Sequence, residues 1–324
     1  MWDQVAVKSI VKGLLTFIPG WQWIRRKEGG GASSARYCYA VWLRHRINAA
    51  RCGVTSHPDV VAELGPGDSI GTGLAAILSG CKSYLAFDIA SFTALERNVE
   101  VFDNLLALFR QRTPVPDNIE FPDLYPRLDN YDFPTDIIPD EHLRRTLNDD
   151  RVNEIRKILL MGKNQTNGTV NIRYIAPWNL TDNVEANSVD MIFSQAVMEH
   201  VDDPKTSYEV MNKWLKPGGI ISHEIDFKCH GTAKRWNGHW TYPDCIWRII
   251  KGRRSYFLNR HSCGHHLNLI QQAGFEIALV SRQEKLQTIK KADLCQELKN
   301  ITDDDLVTSS AYIIAIKKEV PGSR

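Results

Sequence analysis

The chain has 324 residues, a length that allows one large domain or two small ones. Hydrophobic residues make up 43% of it and charged residues 24%, which excludes a fully disordered chain and a protein with many membrane spans. Forty basic against 38 acidic residues leave a net charge of +2, so we expect no nucleic-acid partner. The seven cysteines contain no C-x-x-C pair, which argues against a disulfide framework and predicts a reducing, cytoplasmic location.

Charge is distributed unevenly along the chain. Residues 1–52 and 228–260 each carry a net charge of +7, whereas residues 100–150 carry −7. Such asymmetry indicates either an anionic partner or segments of opposite charge that dock on each other.

Residues 1–57 predict a helical extension. Its first helix carries one apolar stripe, because the apolar residues recur at helical spacing: Val7, Ile10, Val11, Leu14, Leu15 and Ile18. The stripe packs either on the body of the protein or on a second subunit of a homodimer. Alternatively, residues 1–28 form a membrane-surface helix, with Trp2, Trp21, Trp23 and Arg25-Arg26-Lys27 at the headgroups. Gly29-Gly30-Gly31 predicts a hinge before a second helix that ends near Arg51.

From residue 58 onward, short apolar segments alternate with helical ones. The predicted strands cover residues 59–64, 83–88, 170–175, 189–193, 220–227, 275–280 and 311–316. This alternation is typical of a doubly wound, mostly parallel α/β sheet. Ligands of such sheets bind beyond the carboxyl ends of the strands.

The first strand–loop–helix unit predicts a nucleoside site. Gly65 and Gly67 permit a tight turn in which backbone N–H groups can face a ligand, and Asp88 ends the next strand, where a carboxylate can bind ribose hydroxyls. The nicotinamide fingerprint G-x-G-x-x-G is not met, because Ile70 stands where its last glycine belongs. Glu63, two residues before the turn, suits a cationic ligand better than a pyrophosphate.

Four segments in this order resemble the class I S-adenosylmethionine-dependent methyltransferases. They are Glu63-Leu64-Gly65-Pro66-Gly67, Phe87-Asp88-Ile89, residues 187–201 and Leu215-Lys216-Pro217-Gly218-Gly219. The resemblance implies S-adenosylmethionine as cofactor and a Rossmann-like methyltransferase fold with seven strands over residues 58–324. It leaves residues 1–57, 108–168 and 228–262 outside the common pattern.

The resemblance also implies which residues bind the cofactor. The glycine turn would cradle its amino-acid and sugar portions, Asp88 would hold the ribose, and Ile89, Trp178 and Asn179 would contact the adenine. The full implied set is Glu63, Gly65, Pro66, Gly67, Asp88, Ile89, Trp178, Asn179, Ser194, Gln195 and Ala196.

The stretch over residues 108–168 is rich in proline and acidic residues and longer than an ordinary connection. We interpret it as a cap inserted over the active edge of the sheet, with a solvated surface excursion as the alternative. It contains a predicted helix over residues 140–159. Residues 228–262 form a second predicted cap insertion.

The end of the fifth strand collects histidines and acids. Alternation places Glu224 and Asp226 on one face and His223 on the other, and His230 and His239 follow on glycine-containing loops. In one interpretation, His230 or His239 is a general base oriented by Asp226. In another, Asp226 and two histidines bind a divalent metal, although no compact ligand motif supports this. In the third, all of these groups are structural. We select His230, His239, Asp226 and His223 as candidate catalytic residues and predict no metal site.

The acceptor is predicted from the segment that follows. Trp236, Trp240, Tyr242 and Trp247 lie close in sequence to Lys251, Arg253, Arg254 and Arg260, a composition that suits a glycan or an anionic small molecule. Because a hydroxyl needs a base more than an amine does, the histidines favour O-methylation. The alternatives are N- or C-methylation of a natural product, or a cofactor-fold protein that binds without catalysis.

Overall fold

The structure is a computed structural model that describes residues 4–19, 34–90, 95–162, 168–178, 184–255 and 257–318. Several features predicted from the sequence lie outside the described residues. They are the glycine hinge at 29–31, the tryptophans at 2, 21 and 23, the basic residues 25–27, and Asn179.

Seven strands form one sheet. They are β1 (Val60–Leu64), β2 (Ser83–Phe87), β3 (Asn171–Ile175), β4 (Val189–Gln195), β5 (Leu215–Asp226), β6 (Phe275–Glu284) and β7 (Thr308–Lys317). Their order across the sheet is β3-β2-β1-β4-β5-β7-β6. The first five strands are mutually parallel, and β7 is antiparallel to both of its neighbours. The prediction of a doubly wound, mostly parallel α/β sheet is therefore confirmed.

Helices cover both faces of this sheet. They are α1 (Gln4–Leu15), α2 (Ala35–Arg51), α3 (Gly71–Leu78), α4 (Leu95–Arg110), α5 (Asp140–Thr146), α6 (Asp149–Met161), α7 (Pro204–Trp214), α8 (Asp244–Lys251), α9 (Cys263–Gln272) and α10 (Asp303–Val307). One hydrophobic cluster joins α2, α3, α4 and α6 to one face, and a second joins α7 and α9 to the other.

The single helix predicted over residues 140–159 is two helices. Asn148 interrupts it, because its side chain accepts a hydrogen bond from the backbone N of Arg151 at 3.0 Å and so caps the start of α6. The sequence pattern alone did not separate a cap residue from a helix interior position.

Helix α2 lies within the core although it is rich in arginine. Trp42 is fully buried and donates from Nε1 to Ser79 Oγ at 2.8 Å. Arg44 is 1% exposed, and its guanidinium donates to the carbonyl oxygens of Pro116 and Pro126. The helix therefore shares the hydrophobic core of the sheet, and the inserted segment satisfies its buried charge.

Ion pairs connect the basic N-terminal segment to the acidic insertion. Arg36 pairs with Glu120 at 2.6 Å, and Arg51 pairs with Asp129 at 2.9 Å. These contacts agree with the interpretation that the oppositely charged segments dock on each other.

The insertion over residues 108–168 follows two paths. At the carboxyl edge of the sheet, the carbonyl oxygen of Tyr125 accepts a hydrogen bond from Gln195 at the end of β4. Helices α5 and α6 instead lie at the far end of α3, where His142 bonds to Ser79 O and Arg151 donates to Cys81 O. Among the described residues of the insertion, those near Tyr125 lie at the carboxyl edge, and the role of the insertion as a cap stays a prediction.

Helix α1 packs on α8. A Cβ atom built on Gly13 would lie 1.9 Å from the carbonyl oxygen of Ile249, so the two helices are in direct backbone contact. Only part of the predicted apolar stripe of α1 forms this contact, since Ile10 packs on the cluster of Trp247 and Ile250, whereas Val7, Val11 and Leu14 are about half exposed. Within the described ranges, no helix combines the length and apolarity needed to cross a membrane.

Candidate functional site

The carboxyl ends of β1, β2, β4 and β5 meet at one edge of the sheet. Leu64 of β1 pairs with Phe87 of β2 and with Ser194 of β4, and Ser194 in turn pairs with His223 of β5. The loops that follow these strands therefore lie side by side. This brings together most of the residues predicted for the cofactor and for catalysis.

The glycine turn after β1 has the backbone conformation that glycine favours. Gly65 has φ +64° and Gly67 has φ +74°, both in the left-handed region. The amide of Gly65 donates to Phe87 O at 2.8 Å, which ties the turn to β2. A Cβ at Gly65 would lie 2.6 Å from a methyl group of Val197, so the turn also depends on a close approach. Pro66 between them is buried.

Glu63 lies beneath this turn and bonds inward. Tyr84 donates its hydroxyl hydrogen to Glu63 Oε2 at 2.5 Å. Burial raises the pKa of Glu63 to about 8, against the opposing effect of the hydrogen bonds from Tyr84 and Thr72. The side chain is therefore a protonated anchor for the turn at neutral pH.

Glu63→Gln should change how stability depends on pH. The folded chain keeps the Glu63 proton up to about pH 8, whereas the unfolded chain releases it near the ordinary value of 4.5. The free energy of unfolding therefore falls as pH rises between these values, by about 1.4 kcal/mol per pH unit. The glutamine variant carries no such proton, so it should lose less stability than the wild type between pH 5.5 and pH 8.

Urea unfolding of both proteins at the two pH values measures this difference. Glu209→Gln, which changes an exposed carboxyl on α7, serves as the control and should follow the wild type. Equal losses in the wild type and Glu63→Gln would show that Glu63 is ionised in the folded chain.

Asp88 connects the end of β2 to its surroundings. Its Oδ1 accepts the amide of Ile89 at 2.7 Å, and the hydroxyl of Tyr174 lies 3.4 Å from its Oδ2. Burial raises the pKa of Asp88, while hydrogen bonds from the amides of Ile89 and Gly67 act in the opposite direction. The carboxyl thus stands beside the glycine turn, and Ile89 next to it is partly buried.

Trp178 follows β3 and faces the core more than the sequence suggests. Its amide donates to Asp88 O at 2.6 Å, which places its backbone beside the predicted ribose site. Its ring lies 5.9 Å from Phe87 and 6.5 Å from Trp214, measured between centroids. Among the described residues, the buried indole N–H has no hydrogen-bond partner, so a ligand acceptor could complete it.

The last two residues of β4 and the residue that follows are three more predicted site residues. Ser194 is fully buried and shares a 2.7 Å hydrogen bond with His223 Nδ1. Gln195 reaches the insertion at Tyr125. Ala196 has φ +54°, a strained value for a residue with a Cβ, and its amide donates to Glu224 O. Strained backbone of this kind occurs frequently at active sites and ligand-binding sites.

Asp226 and His230 form a pair at the end of β5. His230 Nε2 lies 3.2 Å from Asp226 Oδ2, and Lys228 Nζ lies 2.9 Å from the same oxygen. Burial would raise the pKa of Asp226, but the hydrogen bond from His230 and the Lys228 ammonium outweigh it and lower the pKa to about 2. His230 has φ +43° and a partly exposed ring. Because the carboxylate can only accept, the neutral ring would carry its hydrogen on Nε2, which leaves the lone pair on Nδ1.

The other two candidate histidines are buried. His223 has no exposed surface, and burial near His45 lowers its pKa to about 3. His239 is 2% exposed between the rings of Trp240 and Trp247, and burial beside Arg260 lowers its pKa to about 3. Both are neutral at physiological pH. The structure brings only His230 of the three histidines to an accessible position beside Asp226.

Two buried glutamates lie at the same edge but were not among the predicted site residues. Burial, with Asp226 nearby, raises the pKa of Glu224 to about 8. Glu199 is 3% exposed, and burial beside Glu224 raises its pKa well above the usual range, although backbone hydrogen bonds from Glu199 and Asp226 act in the opposite direction. The alternation of side chains along β5 places Glu224 on the same face as Asp226, and this pattern could have identified Glu224 from the sequence.

Tyr37 on α2 is a third residue that the sequence did not indicate. Burial and the carboxyl of Glu224 raise its pKa, and its ring packs edge-on against Phe121 of the insertion at 5.7 Å. Tyr37 of α2 and Phe121 of the insertion are therefore neighbours near Glu224.

The predicted aromatic surface for a glycan is largely internal. Trp240, Tyr242 and Trp247 are at most 7% exposed. Arg260 is equally buried and donates to Tyr242 O at 2.6 Å and to Asp244. These side chains stabilise the insertion after β5, so they are not available to stack on a sugar.

A basic groove of about 770 Å³ opens beside the site. Its lining includes Lys234, Arg235 and Lys285. Lys285 directly follows β6, which ends at the same edge as β5, and the amide of Cys229 donates to Trp236 O. The groove is therefore adjacent to the loop that carries His230.

A family model described as a methyltransferase domain matches residues 161–222. A comparison with the curated protein sequences finds no match.

Solved structures with a similar fold include three that differ in origin. A candidate sarcosine dimethylglycine methyltransferase from Galdieria sulphuraria is 14% identical, with 85% of this chain and 84% of that chain covered and a TM-score of 0.45. A SAM-dependent methyltransferase from Methanosarcina mazei is 14% identical, with 82% and 95% covered and a TM-score of 0.43. Phosphoethanolamine N-methyltransferase 2 from Haemonchus contortus, in complex with S-adenosyl-L-methionine, is 13% identical, with 86% and 53% covered and a TM-score of 0.41.

Proposed function

We propose that this chain, a class I S-adenosylmethionine-dependent methyltransferase, methylates a hydroxyl oxygen of a small-molecule acceptor, with His230 as the general base. The family assignment agrees with the match to a methyltransferase domain over residues 161–222. It also agrees with the strand order and the four sequence segments described above. We also propose a cytoplasmic location, because the cysteine pattern is typical of a reducing compartment.

The residues at the carboxyl edge suit the cofactor. Asp88 offers a carboxylate to vicinal ribose hydroxyls, and the turn at Gly65 and Gly67 allows close backbone approach. The unpartnered indole N–H of Trp178 is a donor for a nucleobase nitrogen. When bound, S-adenosylmethionine supplies a methyl group that the positively charged sulfur makes electrophilic. The chain mainly has to align the acceptor with that methyl group.

One observation carries the choice of oxygen, namely the hydrogen bond between His230 and Asp226. The ionised carboxylate fixes the ring and its tautomer, which leaves Nδ1 to accept a proton from an acceptor hydroxyl. An alkyl hydroxyl is a weak nucleophile until its proton is removed, so a base of this kind has most effect on an oxygen acceptor. Asp226 acts through His230 and is a positioning residue.

An anionic group on the acceptor would fit the basic groove at Lys234, Arg235 and Lys285. A glycan acceptor stays a prediction, although the aromatic side chains on which that prediction was based are largely buried. Small hydroxyl compounds that carry a carboxylate or phosphate are therefore the first acceptors to test.

Transfer to nitrogen is the second candidate, and Glu199 is the observation that favours it. Its buried carboxyl group lies near those of Glu224 and Asp226, and this cluster of acids would stabilise an ammonium group of an acceptor. A binding protein without catalysis is less consistent with the residues present, because the chain keeps both the glycine turn and Asp88.

Assays with methyl-labelled S-adenosylmethionine and matched pairs of hydroxyl and amine acceptors test the proposal. We expect the label on oxygen, identified by mass spectrometry of the product. Label only on nitrogen would refute the choice of oxygen and support the Glu199 alternative.

EDTA should leave the rate unchanged, because a His–Asp base needs no metal. Within the described part of the chain, no group of three or more His, Cys, Asp or Glu side chains is placed to hold a metal ion. Loss of activity with EDTA, restored by a divalent cation, would establish the metal interpretation instead.

A further inference from the structure

Helix α1 buries small side chains against α8 and leaves several large apolar ones about half exposed, which is unusual for a surface helix. Ile10 is an exception, because it packs on the cluster that includes Trp247 and Ile250. Ala6, Ser9 and Gly13 are buried. Among the described residues, nine large apolar side chains are exposed, and five of these lie on α1 and the turn that follows it. These five, which we call the α1 stripe, are Val7, Val11, Leu14, Phe17 and Ile18, each 48–51% exposed.

The contact with α8 fixes this orientation. Gly13 touches the carbonyl oxygens of Ile249 and Ile250, where a Cβ would lie 1.9 Å and 2.7 Å away. Thr16 Oγ1 donates to Gly13 O and accepts the amide of Arg253 at 2.9 Å. Rotation of the helix to bury these side chains would break the close contact at Gly13, where a larger residue would meet the backbone of α8. The exposed stripe is therefore a fixed feature of the folded chain.

Positive charge surrounds the α1 stripe. Lys8 and Lys12 are exposed on the same helix, and the guanidinium of Arg253 lies 5.3 Å from the ring of Phe17. Residues 4–19 contain no acidic side chain. The sequence that continues from the helix, Gly20-Trp21-Gln22-Trp23-Ile24-Arg25-Arg26-Lys27, adds the tryptophans and basic residues that are enriched at membrane interfaces.

We propose that the α1 stripe docks on the surface of an anionic lipid bilayer. The apolar side chains would enter the boundary between headgroups and acyl chains, and Lys8, Lys12 and Arg253 would lie at the level of the phosphates. Charge complementarity favours this occupant over a second copy of the chain. A twofold interface would bring the lysines of two α1 helices together without any acid on the helix to neutralise them. The proposal does not depend on the acceptor or on His230.

Vesicle co-sedimentation of the full chain tests the proposal. We expect the protein to pellet with vesicles of phosphatidylcholine containing phosphatidylglycerol, and at least tenfold more weakly with phosphatidylcholine alone. The double variant Val11→Asp/Leu14→Asp should weaken binding to the anionic vesicles by at least tenfold. Leu160→Asp/Met161→Asp changes two exposed apolar residues at the end of α6 and is the matched control, which should bind like the wild type.

A second double variant controls for the possibility that the first one misfolds. Lys8→Glu/Lys12→Glu leaves every apolar contact of α1 in place, and it should also lose binding to anionic vesicles while keeping the wild-type thermal unfolding curve. Three results would overturn the proposal. They are no pelleting of the wild type, equal loss in the α6 control, or a wild-type dimer by light scattering that Val11→Asp/Leu14→Asp converts to monomer without any vesicle binding.

Discussion

His230→Ala will lower kcat by about 10²–10⁴-fold and leave the affinity for S-adenosylmethionine unchanged. The ring is accessible, its Nε2 is held by Asp226 at 3.2 Å, and the strained backbone at φ +43° aims it back over the end of β5. Alanine removes the proton acceptor but none of the groups that would hold the cofactor. Steady-state kinetics and calorimetry with S-adenosylhomocysteine measure the two effects separately.

Companion variants distinguish a base from a structural histidine. Asp226→Asn lets the side chain donate as well as accept, so the tautomer of His230 is no longer fixed and kcat should fall. The double variant should lose no more than His230→Ala alone, because both residues act through one proton transfer. His142→Ala, which removes a partly buried histidine at the opposite edge of the sheet, is the control and should keep full activity. Full activity in His230→Ala would refute the base.

Asp88→Ala should raise the Kd for S-adenosylmethionine by about 100-fold. The carboxylate is the one acid that ends β2 beside the glycine turn, and two ribose hydroxyls would donate to it. Hydrogen bonds to a charged group contribute about 1.5–3 kcal/mol each, and 1.4 kcal/mol corresponds to tenfold in affinity. Calorimetric titration of the folded variant measures the change.

Two further variants show which property of Asp88 matters. Asp88→Asn keeps the size of the side chain and one acceptor, so we expect its affinity to lie between that of the wild type and that of the alanine variant. Tyr174→Phe removes only the hydroxyl near Asp88 Oδ2 and should change affinity little. Wild-type affinity in Asp88→Ala would contradict the ribose role.

Local patterns were sufficient to predict the sheet and the strand ends that meet at the proposed cofactor edge. Continuous apolar segments bounded by glycine marked the strands, because buried parallel strands have both faces covered. Gly65 and Gly67 were recognisable because their positive φ values require glycine in a turn. The Asp226–His230 pair was also foreseeable, because both residues lie within one strand end and its loop.

Contacts distant in sequence were not predictable. Arg44 of α2 is buried because the carbonyl oxygens of Pro116 and Pro126, more than 70 residues away, accept its hydrogen bonds, and no local pattern in α2 indicates these partners. For the same reason Tyr37 was not linked to Glu224. The periodicity of α1 identified an apolar stripe but not its direction, which the close contact at Gly13 determines.

A crystal structure of the chain with S-adenosylhomocysteine tests the central claim most directly. We expect the ribose hydroxyls within hydrogen-bond distance of the Asp88 carboxylate, the amino-acid portion along the turn at Gly65 and Gly67, and the sulfur facing the side on which His230 lies. A nucleoside bound elsewhere, or a sulfur turned away from the end of β5, would contradict both the cofactor site and the proposed base.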